Sequence, residues 1–155
     1  MAEKESLPLA ALEGLIREEL SSGGSAVINI RGVSMLPLLK EGVTTVRIVP
    51  PAFPLKKYEI PFYKREDGQF VLHRAIGKRK DGYVCRGDHQ AVKEFGVAEE
   101  MIIGVADARI IDGKEKSLRT LAPRIAGGFL ACTAVFRYGM RVIYGKLCRL
   151  FGGKK

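Results

Sequence analysis

At 155 residues the chain has the length for one domain with its own core and too little for two. An apolar content of 46% and a charged content of 28% exclude a disordered protein, and eighteen glycines with seven prolines favour turn-rich β structure. The net charge of +9 is local: residues 116–155 hold nine of the 26 basic residues and none of the 17 acids, which marks a boundary and an anion-seeking surface.

Residues 6–20 read as a short amphipathic helix, with Ser6 as its cap and Leu12, Leu15, Ile16 and Leu20 on one face. The acids Glu3, Glu5, Glu13, Glu18 and Glu19 make this region neither a secretory signal nor a spanning helix. Residues 21–25 (SSGGS) form a linker. Strand-like runs follow at 26–31, 44–49, 58–63, 70–76, 82–86 and 102–111, separated by Glu41-Gly42, Pro50-Pro51, Asp67-Gly68, Asp81-Gly82 and Asp112-Gly113. The Asp67-Gly68 and Asp81-Gly82 turns predict a meander over 58–86.

From Pro123 a long helix is expected, because Phe129, Phe136, Met140, Ile143, Leu147 and Leu150 make one apolar stripe. Arg137, Arg141, Lys146 and Arg149 lie outside that stripe. The longest uncharged apolar run, Ile125 to Phe136, falls short of the roughly 20 residues a membrane span needs. Residues 123–151 are therefore expected to lie on an anionic membrane surface, the alternative being that the stripe packs on the β domain. The expected organisation is an N-terminal helix and linker (1–25), a β-rich domain (26–115) and a basic amphipathic helix (116–155).

Cys85, Cys132 and Cys148 lack metal-ligand spacing and leave one thiol over in any disulfide scheme, which fits a reducing compartment. No metal and no organic cofactor is expected.

Three positions offer chemistry. Ser34, in Arg31-Gly32-Val33-Ser34-Met35-Leu36-Pro37, sits between a strand and a proline-limited turn, where a hydroxyl can project while backbone amides converge on an attacked carbonyl. His73, read as lying within the strand FVLHRAI, supplies a base that titrates near neutrality. Asp88, in Arg86-Gly87-Asp88-His89-Gln90, offers a carboxylate to orient an imidazole. Each taken alone reads as well as a turn serine, a hydrogen-bonded strand histidine and an Asx turn.

Together they resemble the type I signal peptidases and the LexA-type self-cleaving domains, in the endoplasmic-reticulum and archaeal branch that uses histidine where other branches use lysine. Ser34-Met35-Leu36-Pro37 with Gly42 is similar to the Ser-Met-x-Pro motif and the glycine after it. His73-Arg74 resembles the family's His-Arg, Arg86-Gly87-Asp88-His89-Gln90 its Lys-Gly-Asp-Asn-Asn, and Ile102-Ile103-Gly104-Val105 its Ile-x-Gly-x-Val strand. The branch has a second acid six positions beyond its Gly-Asp, matched by Glu94, so Asp88 and Glu94 both stand as partners for the histidine. His89 replaces a family asparagine and is secondary to His73.

Departures are Val43 for an aspartate, Tyr58-Glu59 for Gly-Asp, and Gly32 where bacterial enzymes often have serine. The last leaves backbone amides, at Ser34 and Gly32, to form an oxyanion hole. The family's N-terminal anchor has no counterpart, which turns the expectation away from signal-peptide removal itself.

The resemblance implies a mainly β, signal-peptidase-like domain and a serine endopeptidase that cuts a precursor, leader or signal-like peptide. The alternative is a degenerate peptidase-fold module that binds a membrane surface or protein partner through its basic helix. A LexA-type repressor is disfavoured, since some 25 residues before the β domain cannot hold a DNA-reading module and no Ala-Gly or Cys-Gly bond precedes Ser34. Nucleic acid is not an expected partner; a polypeptide substrate, an anionic membrane and a membrane-bound partner are. The expected location is cytoplasmic, peripheral at the membrane.

Overall fold

The computed structural model describes residues 9–120, together with Phe129, Thr133, Gly139 and Met140. Helix α1 spans Leu9–Ser21. Leu12, Ile16 and Leu20 form its inner face, while Leu15, expected on that face, is 63% exposed. The helix stops at Gly23, whose φ of 84° is left-handed, as the Gly23 and Gly24 amides close back on Leu20 and Glu19.

Nine strands follow: β1 Ala26–Asn29, β2 Thr45–Val49, β3 Pro61–Lys64, β4 Phe70–Leu72, β5 Arg74–Arg79, β6 Gly82–Arg86, β7 Glu94–Val97, β8 Ile102–Ile111 and β9 Lys114–Ser117. Alternation sets the faces. In β2, Val46 and Ile48 point inward and are fully buried, while Arg47 points out to Asp107 and Glu115. One sheet runs β1-β2-β8-β3-β4, antiparallel throughout. Along its other edge β8 pairs first with β3 and then with β9. A second sheet contains β5-β6-β7.

The first sheet separates two apolar clusters. Phe62 and Ile103 face α1 with Ile28, Val46 and Ile48; Tyr63, Ile102 and Val105 face the second sheet with Ala75, Tyr83, Cys85 and Val97. Gly104 lets α1 lie directly on β8, since a Cβ there would sit against Ile48 and 2.9 Å from Leu20 Cδ1. A Glu13–Lys64 ion pair of 2.7 Å ties the helix to β3.

The mainly β expectation holds, with three corrections. Residues 58–86 are not one meander: β3 and β4 belong to the first sheet, β5 and β6 to the second, and the chain crosses between them at His73. The run expected from residue 58 starts at Pro61, because Tyr58 takes a left-handed φ of 72° in a turn. Strands β7 and β9 were not expected. The first is four residues interrupted by left-handed Gly96, too short and broken to read as a strand, and the second, Lys-Glu-Lys-Ser, is wholly exposed and carries no apolar signal.

The expected cap Ser6, Cys132, Cys148 and nearly all of the expected C-terminal helix lie outside the described residues. Phe129 and Met140, two members of its stripe, are 69% and 52% exposed. Among the described residues no helix is long and apolar enough to cross a membrane.

Candidate active site

Ser34 lies in the turn-rich loop after β1, between exposed Val33 and Met35, which is anchored in the core with Leu39. The loop is held from behind. The His89 amide donates to the Ser34 carbonyl at 2.8 Å, and a Cβ on Gly87 would come within 2.6 Å of that oxygen and 3.1 Å of Ser34 Cβ. Glycine at 87 is thus required by close approach, and the Arg86-Gly87-Asp88 segment acts as the shelf for the serine loop.

His73 is the single residue between β4 and β5, only 4% exposed. A residue linking two sheets is not locked into either ladder's side-chain alternation, so its ring can turn toward the gap between them. Its Nδ1 lies 3.3 Å from Tyr63 Oη and 3.4 Å from Glu94 Oε2, and Tyr63 Oη donates to that same carboxylate oxygen at 2.7 Å. Because the phenolic hydrogen goes to Glu94, Tyr63 accepts from His73. This assigns the imidazole proton to Nδ1 and the lone pair to Nε2. Among the described residues the one sealed side-chain nitrogen or oxygen without a partner is Arg86 Nε. Among the described residues His73 Nε2 has no hydrogen-bond partner and is not one of the sealed atoms. His73 lines a cavity of about 1210 Å³ that Ser34 also lines.

Glu94, at the start of β7, is gripped by Arg65, whose Nε and Nη2 each donate at 2.7 Å. Burial alone would raise its pKa, but the hydrogen bonds from Arg65 and Tyr63 outweigh that and hold it below the usual carboxylate range. His73 is lowered first by burial and then by the Arg65 charge, against the opposing pull of Glu94. The site therefore holds an ionised acid beside a neutral imidazole at neutral pH. Burial raises the Tyr63 hydroxyl too, so it stays protonated, and pushes the Cys85 thiol up to about 12, which leaves it a poor nucleophile.

Of the two acids left open by the sequence, Glu94 is brought to His73. Asp88 is fully buried and meets Arg74 through both oxygens, at 2.8 and 2.6 Å, while Arg74 Nη1 donates to the Tyr58 carbonyl. The expected oxyanion pair is also altered. The Gly32 amide donates to Glu41 Oε2 at 3.1 Å, and of the two amides expected there Ser34 remains. His89 contributes its backbone to the serine loop.

Tyr63 and Arg65 were missed. Tyr63 looked like an ordinary strand aromatic, and Arg65 like a hairpin charge; only the packing of β3 against β7 gives them a role. Among the described residues no group of three His, Cys, Asp or Glu is placed to hold a metal ion. The arrangement offers a hydroxyl and an oriented neutral imidazole on one large cavity, the parts needed for acyl transfer.

No protein-family model matches the chain, and no curated protein matches it in sequence.

Proposed function

We propose that this protein is a serine endopeptidase in which Ser34 is the nucleophile, His73 the general base and Glu94 the acid that orients it. The observation that carries this reading is that Ser34 and His73 line one cavity, with His73 Nδ1 held by Tyr63 and Glu94. Ser34 Oγ attacks a peptide carbonyl as Nε2 takes the hydroxyl proton. The backbone N–H of Ser34 faces the developing oxyanion. Collapse then breaks the C–N bond, and the imidazolium returns the proton to the leaving amine. Water, activated by the same imidazole, hydrolyses the ester and restores the serine.

The cavity walls support a polypeptide substrate. Strands β1 and β4 are edge strands of the first sheet, and both line the cavity. An extended polypeptide can pair with a sheet edge through its backbone while its apolar side chains meet Ile28, Phe70 and Leu72. The motif resemblance to signal peptidases and LexA-like domains points to a precursor or leader peptide.

Treatment of the full chain with a fluorophosphonate should add one group, mapped by mass spectrometry to Ser34 and lost in Ser34→Ala. A folded wild type that stays unlabelled would overturn the assignment and leave a peptide-binding module. The basic residues of 123–151 we assign to an anionic membrane surface, each contributing about 1 kcal/mol near it. Flotation with phosphatidylserine vesicles should carry the protein upward at low salt and release it at high salt. No flotation would remove the membrane from its partners.

A further inference from the structure

We infer that Arg65 is a positioning residue that sets the strength of His73 as a base, by gripping both oxygens of Glu94. The importance of this for catalysis rests on the peptidase reading above; the effect on the imidazole does not.

An unshared carboxylate beside a histidine stabilises the imidazolium and raises its pKa, whereas a guanidinium cancels that charge. Arg65 sits at the start of the β3–β4 turn, and two features fix it there. Its backbone closes the turn with Gln69 and Gly68, and its Nη1 donates to Gln69 Oε1 at 3.1 Å. The remaining fork is aimed at Glu94, with Nε on one oxygen and Nη2 on the other. A bidentate grip of this kind fixes direction as well as charge. Glu94 Oε2 is consequently held where Tyr63 Oη and His73 Nδ1 both reach it.

The groups around His73 come from every neighbouring element. Tyr63 approaches from β3, Glu94 from β7 and Arg65 from the β3–β4 turn. The Cys85 thiol of β6 lies near Glu94, and Ser34 shares the cavity. Arg74, next in the chain, is turned to Asp88. Of these, Arg65 and Glu94 are the charged groups that act on the ring, and they act in opposite senses. Glu94 thus orients the imidazole without making it hard to deprotonate. Arg65 also lines the cavity, so a bound polypeptide would shield its charge from water and strengthen its hold on Glu94. The consequence is a base that stays neutral, and active, into mildly acidic solution.

The test is an NMR titration of the imidazole signals in the full chain, which has two histidines, His73 and His89. In Arg65→Gln the His73 midpoint should rise by about one pH unit. Part of that rise should vanish in a Glu94→Gln background, because Arg65 acts on the ring through its grip on the carboxylate as well as by its own charge. Arg65→Lys keeps the charge but not the fork, and should give a smaller rise; it decides the matter if Arg65→Gln does not fold. An unchanged His73 midpoint in the folded variant, or an equal rise without Glu94, would overturn the inference. Because the titration needs no cleavage, its failure is distinct from a failure to label Ser34.

Discussion

Arg74 and Asp88 meet where water is excluded, their side chains 1% and 0% exposed, whereas Arg65 and Glu94 meet nearer the rim of the fold, 32% and 22% exposed. Both pairs are bidentate, and the seven-residue segment from Asp88 to Glu94 connects them. Their surroundings give them different work. The sealed pair cross-links β5 to the turn behind Ser34, and its guanidinium also satisfies the Tyr58 carbonyl. The rim pair leaves its carboxylate shared with a tyrosine and a histidine, so it can act on an ionisation. Burial, more than the identity of the partners, separates a strut from a tuning device.

The largest expected effect falls on the sealed pair. Asp88→Ala leaves a buried guanidinium without its counter-ion, which costs about 3–5 kcal/mol. For a chain this size that lowers Tm by roughly 10 °C or more. Thermal unfolding followed by circular dichroism checks it; a fall of a degree or two would place Asp88 outside the structural core of the site.

Glu94→Gln should reverse that pattern. A partly exposed pair contributes roughly 0–1 kcal/mol after solvent screening, so stability should change little. Peptide cleavage should nevertheless fall by roughly 10²–10⁴-fold, as the imidazole loses its orienting charge. Kinetics and unfolding measured on one preparation distinguish the two acids, and equal stability losses at 88 and 94 would break the comparison.

Gly87→Ala tests the shelf between the pairs. The added methyl meets the Ser34 carbonyl at 2.6 Å, an overpacking cost of about 1–3 kcal/mol. Ser34 should be displaced, with labelling slowed more than unfolding is advanced.

The smallest effect is on pH dependence. His73 is lowered from 6.5 in the folded chain, first by burial. Below about pH 6.5 the unfolded state then binds more protons, and stability falls as pH drops. Glu94, lowered from 4.5, adds stability that is present above that value and lost as pH falls through its folded pKa. Denaturant titrations at pH 7 and pH 5.5 should show the first loss in wild type and not in His73→Gln.

Much of this could be read from the sequence where the signal was local. Gly82–Arg86 and Ile102–Ile111 match their expected bounds because apolar runs ended at clear turn residues. Ser34, His73 and Glu94 were named in advance from motifs. The break at His73 was not legible, since FVLHRAI reads as one strand and only the separation of the sheets interrupts it. Nor was the division of labour between Asp88 and Glu94, because burial depends on what packs over each. Gly32 was expected to donate to an oxyanion, but Glu41, nine residues on, folds back to take its amide.

In the proposed mechanism Ser34 and His73 hydrolyse peptide bonds together. The most direct measurement is incubation of the full chain, its Ser34→Ala variant and its His73→Ala variant with a defined peptide library, with products identified by mass spectrometry. The mechanism predicts new termini in the wild-type digest and a loss of several orders of magnitude in both variants, each still folded. Cleavage by Ser34→Ala at the wild-type rate, or none by a folded wild type across the library, would contradict it.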